Sequence, residues 1–503
     1  MERRRFVHLV GAGALGLSVV RPEEASAGPA PPGAGVSEEG RAAPPSTALD
    51  APLFEATARL VEAKRVQYGI TGVALAVSRG GRTWTRGFGL TSVDDPQPIT
   101  PDTVFPIASI SKTVVATAVM RLHDQGRLDV EAPVAEYLPD FQVADAGATR
   151  EVRIWHLLTH TPGWEGQLGT PDRGPATLEH FIGTLRELPQ LAPPGEVWSY
   201  NNAGWGVAGR VLEVVTDSPI GEALDTLVFA PLGLHRATSS TGVAMSYRFA
   251  QPHRQEGNAA RVIRPFALPA NVAAGGCAMS VDSLIRYARF HLGDGTTPEG
   301  ERLLSRGSLE AMRTPRIRKN SSTDEMGLGW HLRTLDGVLT AQHGGTLGGH
   351  CLHVQLVPER DLCFAILTNH SEGWRLNEDV AASILREWEG VALAPGQATG
   401  GNRGGNERMT SHAAPLERQP PLEEYAGLYL RPPVGDVLVQ VDGTRLVVGA
   451  GDNRWGLTFW APDMAHSTGP GAYPGLPVEF IRDDRGVVTW IRMNGRIARK
   501  EGV

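Results

Sequence analysis

The sequence predicts an α/β protein of the α+β kind, an antiparallel sheet flanked by helices, followed by a separate small β-domain. Three observations carry that prediction. Strand-like runs paired over tight turns stand near both ends of the first 390 or so residues, at 72–90 and 352–367, with helical patterns between and beside them. A polar, Gly-rich stretch, Gly400-Gly401-Asn402-Arg403-Gly404-Gly405-Asn406, then breaks the pattern. Beyond it, short apolar runs alternate with turn signals and no helical period returns.

Taken in chain order, residues 1–27 read as a twin-arginine-type signal peptide. Arg3-Arg4-Arg5 precede Phe6-Val7, an apolar run follows from Leu9 to Val20, and Ala25-Ser26-Ala27 offers a small-residue cleavage site. The expected destination is therefore outside the cytoplasm, periplasmic or extracellular. The apolar run is short against the ~20 residues that span a bilayer, and no other stretch is a better candidate, so no membrane span is expected in the mature chain. Gly11-Ala12-Gly13-Ala14-Leu15-Gly16 spells a dinucleotide-binding pattern, but no strand precedes it and it lies inside the signal.

Residues 28–50, rich in Ala, Pro, Gly and Glu, read as a disordered lead to a catalytic domain at 51–392. Within that domain, Leu53, Ala56, Leu60, Val61 and Lys64 fall at helical spacing, and Gly69 follows as a stop. Runs at 72–78 and 83–90 make a hairpin over Arg79-Gly80-Gly81-Arg82. A helix is predicted from Ser109 to about Gln125, with Val115, Ala118, Val119 and Leu122 on one face, and a second from Ala203 to Val215. The hairpin 352–357/362–367 turns over Pro358-Glu359-Arg360-Asp361 and leads into a helix at 378–388. Residues 393–420 form a flexible linker, and 421–503 a C-terminal β-barrel, lipocalin-like, or a small sandwich. A barrel so tethered is expected to fold separately and to shape or cap the cleft, while its deletion from Pro415 to Val503 is expected to leave Ser109 able to acylate.

Composition narrows the function classes. A net charge of -7 offers no basic surface for nucleic acid. Only Lys64, Lys112, Lys319 and Lys500 are lysine among 48 basic residues, which leaves 48 minus 4, or 44, as arginine. A chain so biased keeps lysine where a titratable amine is needed. Three cysteines are too few for a disulfide framework. Counting outward from the turn at Glu359-Arg360 sets Cys351 opposite Thr368 rather than Cys363, which predicts free thiols.

Ser109-Ile110-Ser111-Lys112 spells S-x-x-K at a predicted helix start. Residues three apart share a helix face, so the hydroxyl and the amine can meet. A serine hydroxyl needs a neighbouring base to become a nucleophile, and a lysine can be that base when burial or nearby cations lower its pKa from ~10.4. Arginine cannot, because it stays protonated. Tyr200-Asn201-Asn202 follows Pro193-Pro194-Gly195 and supplies a phenol able to relay a proton and an amide able to hold Lys112 and a substrate carbonyl. His343-Gly344-Gly345-Thr346 leads into a strand whose glycines allow a substrate backbone close approach.

In this order and spacing the three motifs resemble the serine β-lactamase and penicillin-binding-protein superfamily, in particular its class C and D-aminopeptidase or esterase-like branch. Leu157-Leu158-Thr159-His160-Thr161-Pro162-Gly163, Ala274-Gly275-Gly276 with Asp282, and Gly327-Leu328-Gly329-Trp330 extend the likeness over residues 53–388. The resemblance implies a β-lactamase/transpeptidase-like fold with an all-helical lobe, Ser109 as nucleophile, Lys112 as its base and Tyr200 as proton shuttle. It further implies an oxyanion hole from the backbone N–H groups of Ser109 and Thr346, with Asn202, His343, Gly345 and Thr346 on the substrate.

One departure bears on substrate. The superfamily's third motif is often K-T-G, and here it is His343-Gly344-Gly345, without the cation and hydroxyl that grip a β-lactam carboxylate. If His343 faces the cleft, it offers a mostly neutral ring there. The expected activity is thus hydrolysis through an acyl-enzyme of small-molecule or peptide substrates, esters or amides including D-amino-acid peptides, with no cofactor. A β-lactamase or D,D-carboxypeptidase would use the same machinery, and a non-catalytic penicillin-binding-like receptor is the alternative of another class. A metal hydrolase is a further rival, since His156 and His160 are four apart and His343, His350 and His353 cluster, but no H-E-x-x-H occurs and no metal is expected. No G-x-S-x-G occurs either, which removes the α/β-hydrolase elbow. Oligomeric state is not legible.

Overall fold

The run Gly72–Arg79 is apolar at every alternate position on both sides, and the structure shows why. Val73, Leu75 and Val77 enter one core while Ala74 and Ala76 enter another, so this strand is covered on both faces. The protein is seen here as a computed structural model that describes residues 50–166, 177–319, 324–393, 397–399, 416, 420–450, 453–469 and 475–503. The signal peptide, nearly all of the lead and most of the linker lie outside the described residues.

Eight antiparallel strands form the main sheet, in the spatial order Arg82–Gly89, Gly72–Arg79, Leu362–Thr368, His350–Val357, Val338–Leu347, His331–Leu335, Glu325–Met326, Ile317–Arg318. The earliest hairpin therefore lies against the latest strand of the domain. Helices Asp50–Gln67 and Gly373–Glu389 cover one face, where Phe54, Val61, Leu376, Val380 and Trp388 pack on Val73, Leu75 and Val77. The Trp388 indole N–H also reaches Thr57 Oγ1 at 3.2 Å, tying the two helices together. On the other face lie Val281–Leu292 and the helical lobe built around Ser111–Asp124 and Asn202–Thr216. Every residue from Ser111 to Met120 is buried, which makes this helix the axis of the domain rather than an amphipathic surface element.

Most predicted elements stand within a few residues of their expected bounds, and three corrections are physical. Asp50, which the sequence places in the disordered lead, is already helical; its carboxylate is buried and meets Arg79 at 3.3 Å. The helix expected from Ser109 is a 3-10 turn, Ala108–Ile110, followed by the α-helix Ser111–Asp124. Ala108 sits at φ 46°, a left-handed conformation that costs a non-glycine residue energy and kinks the entry to the helix. Part of the expected linker is also held: Ala398 is buried against the sheet domain, and the Ala398 N–H and Thr399 hydroxyl bond to the Glu378 carboxylate at 2.8 and 2.6 Å.

Register within the second hairpin is as counted. Cys351 pairs with Thr368 and Cys363 with Leu356, and all three cysteines are buried free thiols. The C-terminal strands close into an eight-stranded barrel from Gly427–Leu430 to Arg496–Lys500. Its interior is filled by Tyr425, Tyr429, Phe459, Phe480 and their apolar neighbours, so the barrel is a packed core. Among the described residues no helix is long and apolar enough to cross a membrane.

Candidate active site

The 3-10 turn lifts Ser109 out of an otherwise buried segment: Ile107, Ala108 and Ile110 are buried on either side of it, whereas Ser109 is partly exposed. It opens on a cleft of about 240 Å³ bordered by Asn202, Asn271, Ala274, Thr346 and Leu347. One helical turn on, Lys112 is fully buried and its Nζ lies 3.1 Å from Ser109 Oγ and 2.5 Å from the Ala274 carbonyl oxygen. Both partners are uncharged, and no ion pair to Lys112 is formed among the described residues. Burial holds the amine well below the usual lysine range, and the positive charge of Arg496 pushes it further the same way. A hydroxyl beside an amine that readily becomes neutral is the arrangement nucleophilic attack requires.

Tyr200 completes this group. It is buried, the Ser109 hydroxyl is near enough to act on its phenol, and Lys112 Nζ lies 5.0 Å from its ring centroid. Burial pushes its phenol up to about 12, so near neutral pH it carries its proton and is a donor rather than a resident base. His160 stacks on the Tyr200 ring at 4.4 Å and accepts the Asn201 N–H at 2.8 Å. Its own backbone is left-handed, φ 62°, a conformation fixed by this packing.

Asn202 and Thr346 border the cleft as expected, but Asn202 does not hold Lys112. The Ala274 carbonyl does, presented by the one-turn helix Val272–Gly275. That turn is capped by Asn271, whose side chain also bonds the Asn202 carbonyl at 3.2 Å. His343 likewise departs from expectation: it is buried behind the site and does not border the cleft, its Nδ1 2.8 Å from the Gly344 carbonyl. Burial, with Lys112 second, pushes its pKa down to about 3. Gly345 is required by the packing of the strand itself. A Cβ there would stand 2.5 Å from the Ile107 carbonyl oxygen and 3.1 Å from Ala108 Cβ, so only glycine lets this strand approach the turn carrying Ser109.

The histidine pairs suggested by sequence do not converge on a metal. His156 Nδ1 takes the Arg153 N–H, His350 bonds two backbone carbonyls, and His353 meets Gln355 Oε1 at 2.9 Å. A different trio does converge: His160, His331 and His343 offer ring nitrogens within 4.8 Å of one another. Yet His160 Nδ1 already accepts the Asn201 N–H, its Nε2 lies 3.3 Å from the Trp205 indole nitrogen, and Lys112 and Lys319 both act on the other rings. With one His160 nitrogen already engaged and both lysines close to the other two rings, the trio forms a packed cluster behind Lys112.

Sequence reasoning set the barrel at the cleft but missed the residues by which it holds Tyr200. The strands Val488–Met493 and Arg496–Lys500 join through Asn494 and Gly495, both at positive φ, in the two-residue turn that suits a hairpin. That hairpin docks along residues 198–200. Arg492 donates to the Trp198 carbonyl at 2.9 Å, the Ile497 N–H to Ser199 Oγ at 3.2 Å, the Tyr200 N–H to the Gly495 carbonyl at 2.7 Å, and Arg496 to the Tyr200 carbonyl at 2.7 Å. Trp490 and Ile497 pack on Leu191 and Val197, and the buried Glu165 meets Arg431 at 3.1 Å. The barrel thus braces the segment that carries Tyr200, a contact that bears against its being dispensable for the chemistry.

Comparison with known proteins agrees with this geometry. The β-lactamase family model matches residues 57–386, about two thirds of the sequence. The chain belongs to the β-lactamase family. This serine hydrolase is 33% identical over 340 residues to penicillin-binding protein 4 of Amycolatopsis lactamdurans, covering 66% of the chain and 89% of that relative. It is 31% identical over 379 residues to the esterase EstB of Burkholderia gladioli, covering 65% of the chain and 93% of that relative. Among solved structures it is similar to SurE, with a TM-score of 0.74 and 26% identity over 90% of this chain and 100% of the other. That coverage reaches beyond the family match into the barrel.

Proposed function

We propose that the hydrolase acts through an acyl-enzyme on Ser109, with Lys112 as base and Tyr200 as proton relay, on neutral esters and amides, D-amino-acid peptides among them. The observation that carries this reading is the 3.1 Å approach of Lys112 Nζ to Ser109 Oγ in a site that disfavours the ammonium form. As Ser109 Oγ bonds to the substrate carbonyl carbon, its proton passes to Lys112. The resulting oxyanion is met by the backbone N–H groups of Ser109 and Thr346. The carbon–oxygen or carbon–nitrogen bond of the substrate then breaks, the leaving group takes the Tyr200 proton, and Lys112 returns one to Tyr200. Water attacks the acyl ester by the same relay run in reverse and releases the acid.

Neutral substrates are favoured because the described cleft border holds amides, a hydroxyl and apolar groups but no Lys or Arg. His343, which replaces the lysine of K-T-G, is uncharged and set back. The esterase relative and the structure of SurE with D-Leu support the ester and D-amino-acid classes respectively. The deciding experiment is intact-mass detection of an acyl adduct on wild type and on Ser109→Ala, over a panel of p-nitrophenyl ester, D-amino-acid amide, peptidoglycan stem peptide and penicillin. An ester or D-amide adduct lost in Ser109→Ala is expected. An adduct that survives the substitution, or one formed only by penicillin, overturns the assignment. Export by the twin-arginine route is part of the proposal and rests on residues 1–27; an N-terminus starting near Gly28 in protein recovered outside the cytoplasm checks it.

A further inference from the structure

We propose that Arg496, carried in by the barrel, is a positioning residue of the acylation site: it fixes the Tyr200 main chain and sets a fixed positive charge beside Lys112. The proposal rests on the Ser109 reading above and concerns how that site is kept in register.

Its geometry is specific. Arg496 is about nine-tenths buried, with Nη1 on the Tyr200 carbonyl at 2.7 Å and the guanidinium carbon 5.4 Å from the Tyr200 ring centroid. The neighbouring Gly495 carbonyl takes the Tyr200 N–H, so both main-chain polar groups of Tyr200 are held by two consecutive barrel residues. Tyr200 has no regular secondary structure of its own to fix it, since the helix begins only at Asn202. Without the hairpin its main chain would lose both partners.

The charge acts through its surroundings. Around Lys112 stand Ser109, Tyr200, the neutral rings of His160, His331 and His343, and the cation Arg496. Lys319 acts on His331 and His343, stands over the Trp198 ring at 5.1 Å and is paired with Asp324 at 3.9 Å. Glu165 is the carboxylate facing Arg496, at 3.8 Å, and Arg431 holds it from the other side. A guanidinium cannot give up its proton, so its influence is constant over the working pH range. It disfavours a second cation at Lys112 and so favours the neutral amine that accepts the serine proton.

The test uses the full chain. Arg496→Gln keeps a donor for the Tyr200 carbonyl and removes the charge; Arg496→Lys keeps the charge in a shorter side chain. Acylation is followed against pH with a neutral p-nitrophenyl ester and with a carboxylate-bearing peptide ester, and fluorophosphonate labelling of wild-type Ser109 checks the underlying reading by itself. For Arg496→Gln the acidic limb of kcat/KM is expected to move to higher pH, because Lys112 becomes harder to deprotonate. At neutral pH kcat falls on the order of 10–100-fold on both esters, with KM little changed. Arg496→Lys is expected to keep the limb while losing part of kcat. An unmoved limb in Arg496→Gln, or equal displacement in both variants, overturns the charge role. A loss confined to KM of the carboxylate-bearing ester overturns the proposal and makes Arg496 a substrate clamp. Should Arg496→Gln fail to fold, Arg496→Lys and Ser199→Ala, which removes the acceptor of the Ile497 N–H, still decide: unchanged kcat in both refutes positioning by the hairpin.

Discussion

Gly345→Ala isolates the contact between the central sheet and the turn bearing Ser109. An added Cβ would lie 2.5 Å from the Ile107 carbonyl oxygen, 2.9 Å from Leu352 Cδ1 and 3.1 Å from Ala108 Cβ. An ordinary carbon–oxygen approach is ~3.3 Å, so strand and turn must part by roughly 0.8 Å. The strand is paired on both edges and yields little; the turn, which already carries a left-handed Ala108, yields more. Moving Ser109 by that amount carries its Oγ beyond hydrogen-bond reach of Lys112 Nζ, now at 3.1 Å. A misplacement of about 1 Å costs on the order of 100-fold in rate, and overpacking a core costs about 1–3 kcal/mol. The expected result is therefore a 10–100-fold slower fluorophosphonate labelling rate with a modest fall in Tm. Gly183→Ala is the control, since a Cβ there meets nothing within 4 Å. Wild-type labelling in Gly345→Ala at unchanged stability would refute the reasoning.

Lys112→Arg should lose as much acylation as Lys112→Ala, because a guanidinium keeps the charge and cannot take the serine proton; substantial activity in the Arg variant, measured by ester turnover, would make Lys112 a mere cation. Deleting residues 416–503 should abolish labelling, since it strips the Tyr200 main chain of both partners and uncovers Leu191 and Val197; a soluble, folded truncation that labels at the wild-type rate would contradict this. Acid should unfold the protein steeply. Burial pushes His156, His350, His353 and His370 down to about 4 and His291 and His343 to about 3, while the unfolded chain protonates each near 6.5. The unfolded state thus binds more protons between those values, and stability falls as pH drops from about 6.5 towards 4, by up to ~1.4 kcal/mol per unit for each proton. A Tm that stays level from pH 6.5 to 4.5 would show that these rings are not held neutral.

Local features of this chain were legible and distant ones were not. Ser109 and Lys112 meet because three residues make one helical turn, and Cys351 falls opposite Thr368 because a hairpin register follows from its turn. The sequence also placed Tyr200, Asn202 and Thr346 at the site. It missed the 3-10 turn, because the left-handed Ala108 is imposed by packing and leaves no mark in residue type. His343 was put in the cleft because a motif gives a strand position but not its depth; the ring lies behind, fully covered. The partner of Lys112 is a main-chain carbonyl, at Ala274, which every residue possesses and no pattern reveals. Arg496 stands 296 positions from Tyr200, and one arginine among 44 carries no local signal of such a contact.

The docked hairpin also sets an order of events in biosynthesis. Ribosomes add ~5–20 residues per second, so the 296 positions between Tyr200 and Arg496 correspond to roughly 15–60 s in which a nascent chain already holds Ser109, Lys112 and Tyr200 but lacks the segment that fixes the tyrosine. Competence for acylation then arrives only after the hairpin that holds Tyr200 has been translated. Chains stalled on the ribosome before residue 492 should stay unlabelled by a fluorophosphonate, and released full-length chains should label. A hydrolase assembled in this sequence stays silent until its barrel has been made.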